Sequence, residues 1–385
     1  MNPIEFDQNA TTRPAEAVID AMAPWLAGKS ANPSSPYRRG EEAARALRDA
    51  RAEVAALLGA KRANEVVFTS GGSESITSAF SSTAFTVRGQ GQRRRILLSQ
   101  AEHSASKSNA ERLAAFGFEV VWLPVDAAGR VSAATLNEQL DDRTAIVSLI
   151  LANNETGVLT DFSGIADACR AAGAVLHIDA VQGPGKIAID VSALGADFVS
   201  ISAHKFHGPQ GVGALWVREG VEFHPLIVGG PQERDRRAGT ENIAGAVGLG
   251  TAARLARERV EGQHELHALA ALRDRLEAQM LDLYPSARIN GSGVPRTPNT
   301  SNVTFPGIDG PTLLLLLAAE GLECSAGSAC NAQKVAPSPV LLAMGVDEED
   351  ASSSLRFSLS AHSRERDLER ALEILKRSLT ALTSL

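Results

Sequence analysis

An aspartate and a lysine at the ends of two strand-like segments are the residues of this sequence that first suggest chemistry. Asp179 follows the apolar run 175–178, and Lys205 comes shortly after the run 198–202. In a parallel sheet, ligands bind beyond the carboxyl ends of the strands. A lysine placed there can form a Schiff base with an aldehyde, and a carboxylate can keep a pyridine nitrogen protonated. Either residue alone is more often a solvent-facing charge.

A glycine-rich turn favours a ligand site over two unrelated surface charges. Ser70-Gly71-Gly72-Ser73-Glu74 lies between a strand-like and a helix-like segment, and the free N–H groups that open a helix favour a phosphate. Taken alone, the segment could equally be a tight turn with Ser73 as helix N-cap. Together with Asp179 and Lys205, it predicts a site for pyridoxal 5'-phosphate. It matches neither the dinucleotide fingerprint nor the Walker loop, which disfavours NAD and ATP.

Cys330 is the third feature that could carry chemistry. It lies in the segment 325–333, whose small and polar residues show no helical or strand period and predict an exposed, mobile loop. A thiol there can reach a substrate. Cys169 has helical core spacing with Ile165, and Cys324 follows an apolar region, so both are interpreted as structural. Because cysteine is usually buried or reactive, we expect Cys330 to be a working thiol.

The elements that must position these residues alternate between strand-like and helix-like patterns from about residue 40 to 220. Runs apolar on both faces, separated by helices, predict an α/β fold with a mostly parallel sheet and helices on both faces. The strand candidates are 65–69, 96–98, 119–122, 145–151, 174–178, 196–202 and 212–217. Beyond Gly239, a helical stretch over 251–281, a strand over 301–305 and a helix over 364–382 predict a smaller α+β domain.

The composition of the whole chain limits its function class. Its 385 residues permit two domains, with 44% hydrophobic and 22% charged residues as in ordinary globular proteins. A net charge of −7 argues against direct nucleic-acid binding. No signal peptide is recognisable and the longest apolar run, 313–319, is too short to span a bilayer, so no membrane association is expected. Three cysteines make no paired disulfide framework, and a cytoplasmic location is expected.

The motifs together resemble the cysteine desulfurases, in the class V aminotransferase branch of the fold-type I pyridoxal-phosphate enzymes. Any one block is weak, but the blocks stand in family order over nearly the whole chain. They are 6–12, 32–35, 70–74, 102–103, 153–157, 177–182, Ser-Ala-His-Lys at 202–205, 208–213, 237–242, Ser-Ala-Cys at 328–330, 337–341 and 355–358. The length of 330–337 resembles the group I subtype, with its long, flexible catalytic loop. Departures at Gln8, Ser73 and Ala361-His362 are modest.

The resemblance implies roles for five residues in the reaction. Lys205 would bind the cofactor covalently, and Asp179 would pair with its pyridine nitrogen. His103 would stack on the ring and move protons to and from the substrate thiol. Arg356 would pair bidentately with the substrate carboxylate, which suits a planar guanidinium. Cys330 would take the sulfur of L-cysteine as a persulfide, leaving L-alanine.

It also implies how the cofactor and substrate are held. The residues expected at the phosphate are Gly72, Ser73, Ser202 and His204. Asn154 and Gln182 would lie near the ring oxygen and the substrate. Thr240 would reach the phosphate of a neighbouring subunit, which makes a homodimer the expected unit. The expected domains are a large cofactor-binding one over 14–258 and a small one over 1–13 and 259–385 that carries the catalytic-cysteine loop.

The resemblance leaves several alternatives open. The sulfur acceptor could be an iron–sulfur scaffold protein, a tRNA-modifying enzyme or a DNA-phosphorothioation protein. A selenocysteine lyase uses the same framework, whereas a plain transaminase, decarboxylase or epimerase has no need for the Cys330 thiol. A non-catalytic scaffold for sulfur-relay partners need not keep the site residues together, and an NAD-dependent dehydrogenase lacks its fingerprint here.

Overall fold

The helices and strands are defined in a computed structural model, which describes residues 3–29, 31–88, 93–327 and 336–383. The helices are α1 (Glu16–Ala27), α2 (Arg38–Leu57), α3 (Gly72–Thr86), α4 (Ser104–Ala114), α5 (Ala133–Gln139), α6 (Ile165–Ala172), α7 (Val191–Leu194), α8 (Gln232–Asp235), α9 (Ile243–Gly262), α10 (His264–Leu283), α11 (Gly310–Ala319), α12 (Pro339–Ala343), α13 (Glu348–Ser352) and α14 (Glu365–Thr383). The strands are β1 (Ile4–Glu5), β2 (Val66–Thr69), β3 (Arg95–Ser99), β4 (Glu119–Leu123), β5 (Thr144–Ile150), β6 (Val175–Asp179), β7 (Phe198–Ser202), β8 (Gly213–Val217), β9 (Arg288–Ile289), β10 (Thr300–Thr304), β11 (Leu322–Glu323) and β12 (Ser354–Ser358). The short α8 is a turn in which residues 233–235 have positive φ.

The large sheet is mostly parallel. Its strands lie in the order β2-β8-β7-β6-β5-β3-β4. The pairs β3–β4, β3–β5, β5–β6 and β6–β7 are parallel, whereas β8 runs antiparallel to both β7 and β2. The carboxyl ends of β5, β6 and β7 therefore meet at one edge, where a ligand site is expected.

Helices cover both faces of this sheet, as the alternation of side chains along β3 shows. Ile96 and Leu98 pack in a cluster with Ile76 and Phe80 of α3. Leu97 belongs to a different, larger cluster that includes residues of α2, α6 and α9. Since successive strand residues point to opposite faces, the two clusters lie on opposite sides of the sheet. The predicted α/β fold, a mostly parallel sheet with helices on both faces, is confirmed.

A smaller unit follows α9. The sheet β12-β10-β9 is antiparallel, and its buried side chains form a hydrophobic cluster of their own with α10, α11 and α14. The N-terminal strand β1 pairs in parallel with β11, so the start of the chain belongs to this unit. The break between α9 and α10 lies at Gln263, which has a φ of 57°. The predicted boundary at residue 258 falls within α9, four residues before its end, and the division into domains stays a prediction. No helix in the described part of the chain is both long and apolar enough to cross a bilayer.

A buried histidine links three strands of the large sheet. His177 of β6 shares one hydrogen bond of 2.9 Å with Ser148 Oγ of β5 and another of 2.9 Å with Ser200 Oγ of β7. Burial lowers the pKa of His177 to about 3. Its imidazole is therefore neutral in the fold and must gain a proton on acid unfolding.

This histidine is expected to make the protein sensitive to acid. Between pH 6.5, its ordinary pKa, and about 3, the unfolded chain binds a proton that the folded chain does not, so stability falls as the pH is lowered. The variant His177→Gln can still bond both serines but does not titrate. When the pH is lowered from 7.5 to 5, its free energy of unfolding should fall by roughly 1 to 2 kcal/mol less than that of the wild type. Urea unfolding at both pH values measures the difference, and equal losses in the two proteins would contradict the assignment.

Candidate functional site

A cavity of about 280 Å³ lies at the carboxyl ends of β5, β6 and β7. Most of the residues singled out from the sequence line it. They are Gly72, Ser73, His103, Asn154, Asp179, Gln182, Ser202, His204, Lys205 and Arg356. The structure thus brings side chains of the large unit together with Arg356 of the small unit.

One end of the cavity is the N-terminus of α3. Gly71, the residue before the helix, has a φ of 156°, which favours glycine. A Cβ on Gly72 would lie 2.8 Å from Val181 Cγ2, so the close approach of these segments requires a residue without a side chain. Ser73 and Ser202 also line this end. The helix N–H groups and two hydroxyls form a donor set suited to a phosphate.

The lysine lies on a 3₁₀ turn that directly follows β7, at Ala203–Lys205. Its Nζ donates to two carbonyl oxygens of the N-terminal segment, Asn9 O at 2.8 Å and Ala10 O at 2.7 Å. Those contacts hold the amine at the cavity wall, where an aldehyde can reach it. The predicted position of Lys205 at a strand end is confirmed.

Asp179 ends β6 and is almost completely buried. One carboxylate oxygen, Oδ1, accepts from the backbone N–H of Val181 at 3.0 Å. Burial raises the pKa of Asp179, and the nearby His103 opposes that shift. A buried carboxylate is stabilised by a cation, so a protonated ring nitrogen is a suitable partner for this side chain.

His103 is the N-cap of α4, and its Nδ1 accepts a hydrogen bond of 3.1 Å from the Ala105 N–H. Burial is the main cause that lowers the pKa of His103, although Asp179 opposes it. The ring is therefore neutral near pH 7. Because Nδ1 is occupied as an acceptor, Nε2 is the nitrogen that carries the proton.

Arg356 is a buried residue of β12 whose guanidinium lines the cavity. It donates to Asp7 Oδ1 at 2.6 Å and to the backbone oxygen of Asn154 at 3.1 Å. Its Nε is buried and has no hydrogen-bond partner among the residues that the structure describes. A buried donor without a partner is costly, which favours an anionic ligand at this end of the cavity.

Several cavity residues and neighbours were not assigned roles from the sequence, and Glu102, Asn9 and Lys186 are three of them. Glu102 lines the cavity, and its Oε1 accepts a hydrogen bond of 2.7 Å from the Ile150 N–H. Burial is the main cause that raises the pKa of Glu102 well above its ordinary value, and the nearby Asp179 carboxylate raises it further. Asn9 also lines the cavity and contacts Lys205, and Lys186 lies behind it. Glu102 and Asn9 stand inside blocks of the resemblance, so their positions were visible there although their contacts were not.

The cavity does not test the roles predicted for Thr240 and Cys330. Thr240 is exposed and does not line it within the single chain. Its predicted contact with a neighbouring subunit stays a prediction. Cys330 lies outside the described residues, so its predicted role also stays a prediction.

The chain is similar to known proteins over almost its whole length. The family model described as aminotransferase class-V matches residues 4–371. A cysteine desulfurase of Sinorhizobium fredii is 42% identical over 376 residues, which are 97% of this chain and 96% of the relative. A solved structure of a NifS-like protein superposes with a TM-score of 0.90 and 35% identity, covering 99% of this chain and 100% of that one. Another, described as SspA in complex with cysteine, gives a TM-score of 0.81 and 32% identity over 93% of this chain and 99% of that one.

Proposed function

This chain belongs to the cysteine desulfurases of the class-V aminotransferase family, and from that premise we propose that it uses pyridoxal 5'-phosphate to convert L-cysteine to L-alanine and passes the sulfur through Cys330. The observation that carries the proposal is the convergence of Lys205, Asp179, His103 and Arg356 on one cavity. Each supplies a function that the reaction needs, and they come from separate strands and turns.

The donors and acceptors of the cavity fit the proposed cofactor. The start of α3, with Ser73 and Ser202, would hold its phosphate, and the Asp179 carboxylate would pair with its ring nitrogen. Lys205 would bond to its aldehyde carbon. When bound, pyridoxal 5'-phosphate supplies an electron-accepting ring over which negative charge from the substrate α-carbon is spread.

The remaining groups act on the substrate. Arg356 would bind the carboxylate of L-cysteine with its Nε, which has no hydrogen-bond partner in the described part of the chain, and so would fix the orientation of the α-carbon. The Lys205 amine is the base that we assign to the α-proton. The His103 ring presents Nε2 for proton exchange with the substrate thiol, since its Nδ1 is engaged by Ala105.

The sulfur step requires a thiolate that attacks the substrate sulfur. The substrate C–S bond breaks, an S–S bond forms on Cys330, and the substrate carbon gains a proton, so L-cysteine and one thiol give L-alanine and one persulfide without an external oxidant. Burial raises the pKa of Cys169 to about 12, and it also raises the pKa of Cys324. Both therefore remain protonated and are poor nucleophiles, which supports Cys330 as the acceptor.

We further propose a homodimer that hands sulfur to an acceptor protein, such as an iron–sulfur scaffold, in the cytoplasm. Leu226, Ile227 and Val228 form an exposed apolar run, with Val228 77% exposed. This run is hydrogen-bonded through Ile227 O to Ala238 N, two residues before Thr240. We propose that this run is buried against a second copy, and that the nearby Thr240 is the residue that would reach the phosphate held by that copy.

Alanine formation from L-cysteine tests this proposal, with Arg356→Lys as the diagnostic variant. Lysine keeps the charge but loses the planar fork, so we expect kcat/KM for L-cysteine to fall by about 10²-fold, mainly through a higher KM. Arg38→Lys, at an exposed position, is the matched control and should behave as the wild type. A cofactor-loaded wild type that makes no alanine would contradict the function, whereas an unchanged Arg356→Lys would contradict only the role of Arg356.

A further inference from the structure

A second lysine lies directly behind the cavity. Lys186 is partly buried and does not line the cavity itself, but it contacts two residues that do, Asn9 and Gln182. We propose that Lys186 is a positioning residue that fixes which end of the Gln182 amide faces the ligand, an inference that rests on the proposed function. Through Asn9 it also supports the place of the Lys205 amine.

Lys186, Gln182 and Asn9 are hydrogen-bonded to one another. Its Nζ donates to Gln182 Oε1 in a short hydrogen bond and to Asn9 Oδ1 at 3.0 Å. Gln182 Nε2 in turn donates to the backbone oxygen of Asn9 at 2.9 Å. Asn299 Nδ2 donates to Asn9 Oδ1 at 3.1 Å, so the Asn9 side chain is held from two directions.

These contacts determine the orientation of the amide. The Lys186 Nζ donates to Gln182, so the atom of Gln182 that faces it is the oxygen, and both the ammonium and the neutral amine carry the hydrogen that this bond needs. The amide nitrogen is then the end that donates to the Asn9 backbone oxygen, and we assign its second hydrogen to the ligand. The oxygen and nitrogen ends of an amide are nearly equal in size, so hydrogen bonds rather than sterics hold the orientation. Two bonds do so here, one from Lys186 to the amide oxygen and one from the amide nitrogen to the Asn9 carbonyl, and the loss of Lys186 removes the first.

The orientation matters because of what the cavity is proposed to hold. An amide nitrogen donates to an anionic oxygen, whereas an amide oxygen repels it. The ring oxygen of pyridoxal 5'-phosphate carries negative charge, so a fixed donor at Gln182 favours its anionic form. Lys186 thus acts on the ligand only through the amide it orients.

The same network reaches the catalytic amine. The backbone oxygen of Asn9 accepts from Gln182 Nε2 and from Lys205 Nζ, the latter at 2.8 Å. The titratable groups facing Lys186 are His207, which is neutral near pH 7 because burial lowers its pKa to about 4, and two cations, Lys205 and Arg356. No carboxylate forms an ion pair with Lys186 among the described residues. Burial, then these neighbouring cations, lower the pKa of Lys186 well below its ordinary value. Its bonds to neutral acceptors hold in either protonation state, since a neutral amine still carries two donors.

The test follows the visible absorbance of the bound cofactor against pH, without substrate. Lys186→Met removes the donor at similar length, and Gln182→Leu removes the oriented amide. Each is expected to raise the pH midpoint of the titration by about one unit, because losing a hydrogen bond to an anionic oxygen favours the protonated chromophore. If Lys186 acts through Gln182, the double variant should shift no further than either single variant.

Several controls make the outcome decisive. Lys186→Arg keeps a donor and should retain the wild-type midpoint, as should Lys61→Met at an exposed position. Thermal unfolding of the cofactor-free proteins checks that each variant folds. If Lys186→Met does not fold, Lys186→Gln replaces it, because a glutamine at position 186 can bond either end of the Gln182 amide. A wild-type midpoint in the tested Lys186 variant, or shifts that add in the double variant, would overturn the inference. A wild type that binds no cofactor would instead contradict the proposed function.

Discussion

Replacement of Lys205 with alanine is expected to lower alanine formation from L-cysteine by at least about 10³-fold, the range reported for loss of a positioned acid–base group. The variant loses both the amine that would bond to the cofactor and the base assigned to the α-proton. It should also lose the visible absorbance of the covalently bound cofactor after purification. Absorption spectra and alanine assays on the same preparation measure both effects.

Two variants separate this role from a structural one. Lys205→Arg keeps a cation that can donate to Asn9 O and Ala10 O, yet its guanidinium cannot form the bond to an aldehyde, so it should be as inactive as the alanine variant. Lys61→Ala removes an exposed lysine and should leave the spectrum and the rate unchanged. Retained visible absorbance and activity in Lys205→Arg would contradict the assignment.

Cys330→Ser is expected to abolish persulfide formation on the protein while leaving the cofactor spectrum intact. The cofactor spectrum and its change on adding L-cysteine should persist, because Lys205, Asp179 and Arg356 are intact. Persulfide on the protein should fall below detection, and alanine formation should fall by more than about 10²-fold, because a serine hydroxyl is a far weaker nucleophile than a thiolate. Cyanolysis of the protein-bound sulfur and an alanine assay measure the two quantities.

The matched control is Cys324→Ala. Burial raises the pKa of Cys324, so its thiol stays protonated and its removal should leave persulfide formation unchanged. Undiminished sulfur transfer in Cys330→Ser would assign the acceptor role elsewhere. Loss of transfer in Cys324→Ala alone, in a protein of normal stability, would point to Cys324.

The strands and the central pair of site residues could be predicted from the sequence. All seven predicted strands of the large sheet are present, and their ends are shifted by at most two residues. Asp179 and Lys205 meet at one cavity because parallel strands end at the same edge, so two short apolar runs sufficed to place them. Short continuous apolar runs bounded by turn residues are the clearest pattern in this class of fold.

The start of α9 could not be predicted in the same way. The helical stretch was expected to begin at residue 251, whereas α9 begins at Ile243. The added turns contain glycines, which disfavour a helix, so the helical pattern is weak there. In the structure, a Cβ on Gly250 would lie 2.6 Å from the Ala50 Cα of α2, so the glycine permits close packing of the two helices. That reason is tertiary and has no local signal.

The hydrogen-bond network behind the cavity also could not be predicted from the sequence. Asn9, Gln182 and Lys186 make bonds whose partners depend on how the N-terminal segment crosses the sheet edge. Lys186 follows Gln182 by four residues, and nothing in that spacing distinguishes a buried positioning residue from a solvent-facing lysine. Only the three-dimensional contacts assign its partners.

The measurement that tests the central claim most directly is a single-turnover reaction of the cofactor-loaded protein with sulfur-labelled L-cysteine. Alanine is quantified, and the labelled sulfur is mapped by digestion of the protein without reductant. The account predicts equal amounts of alanine and of labelled persulfide, with the label on the peptide that contains Cys330. Alanine formed with the label on another cysteine, or label bound to Cys330 without alanine, would contradict it.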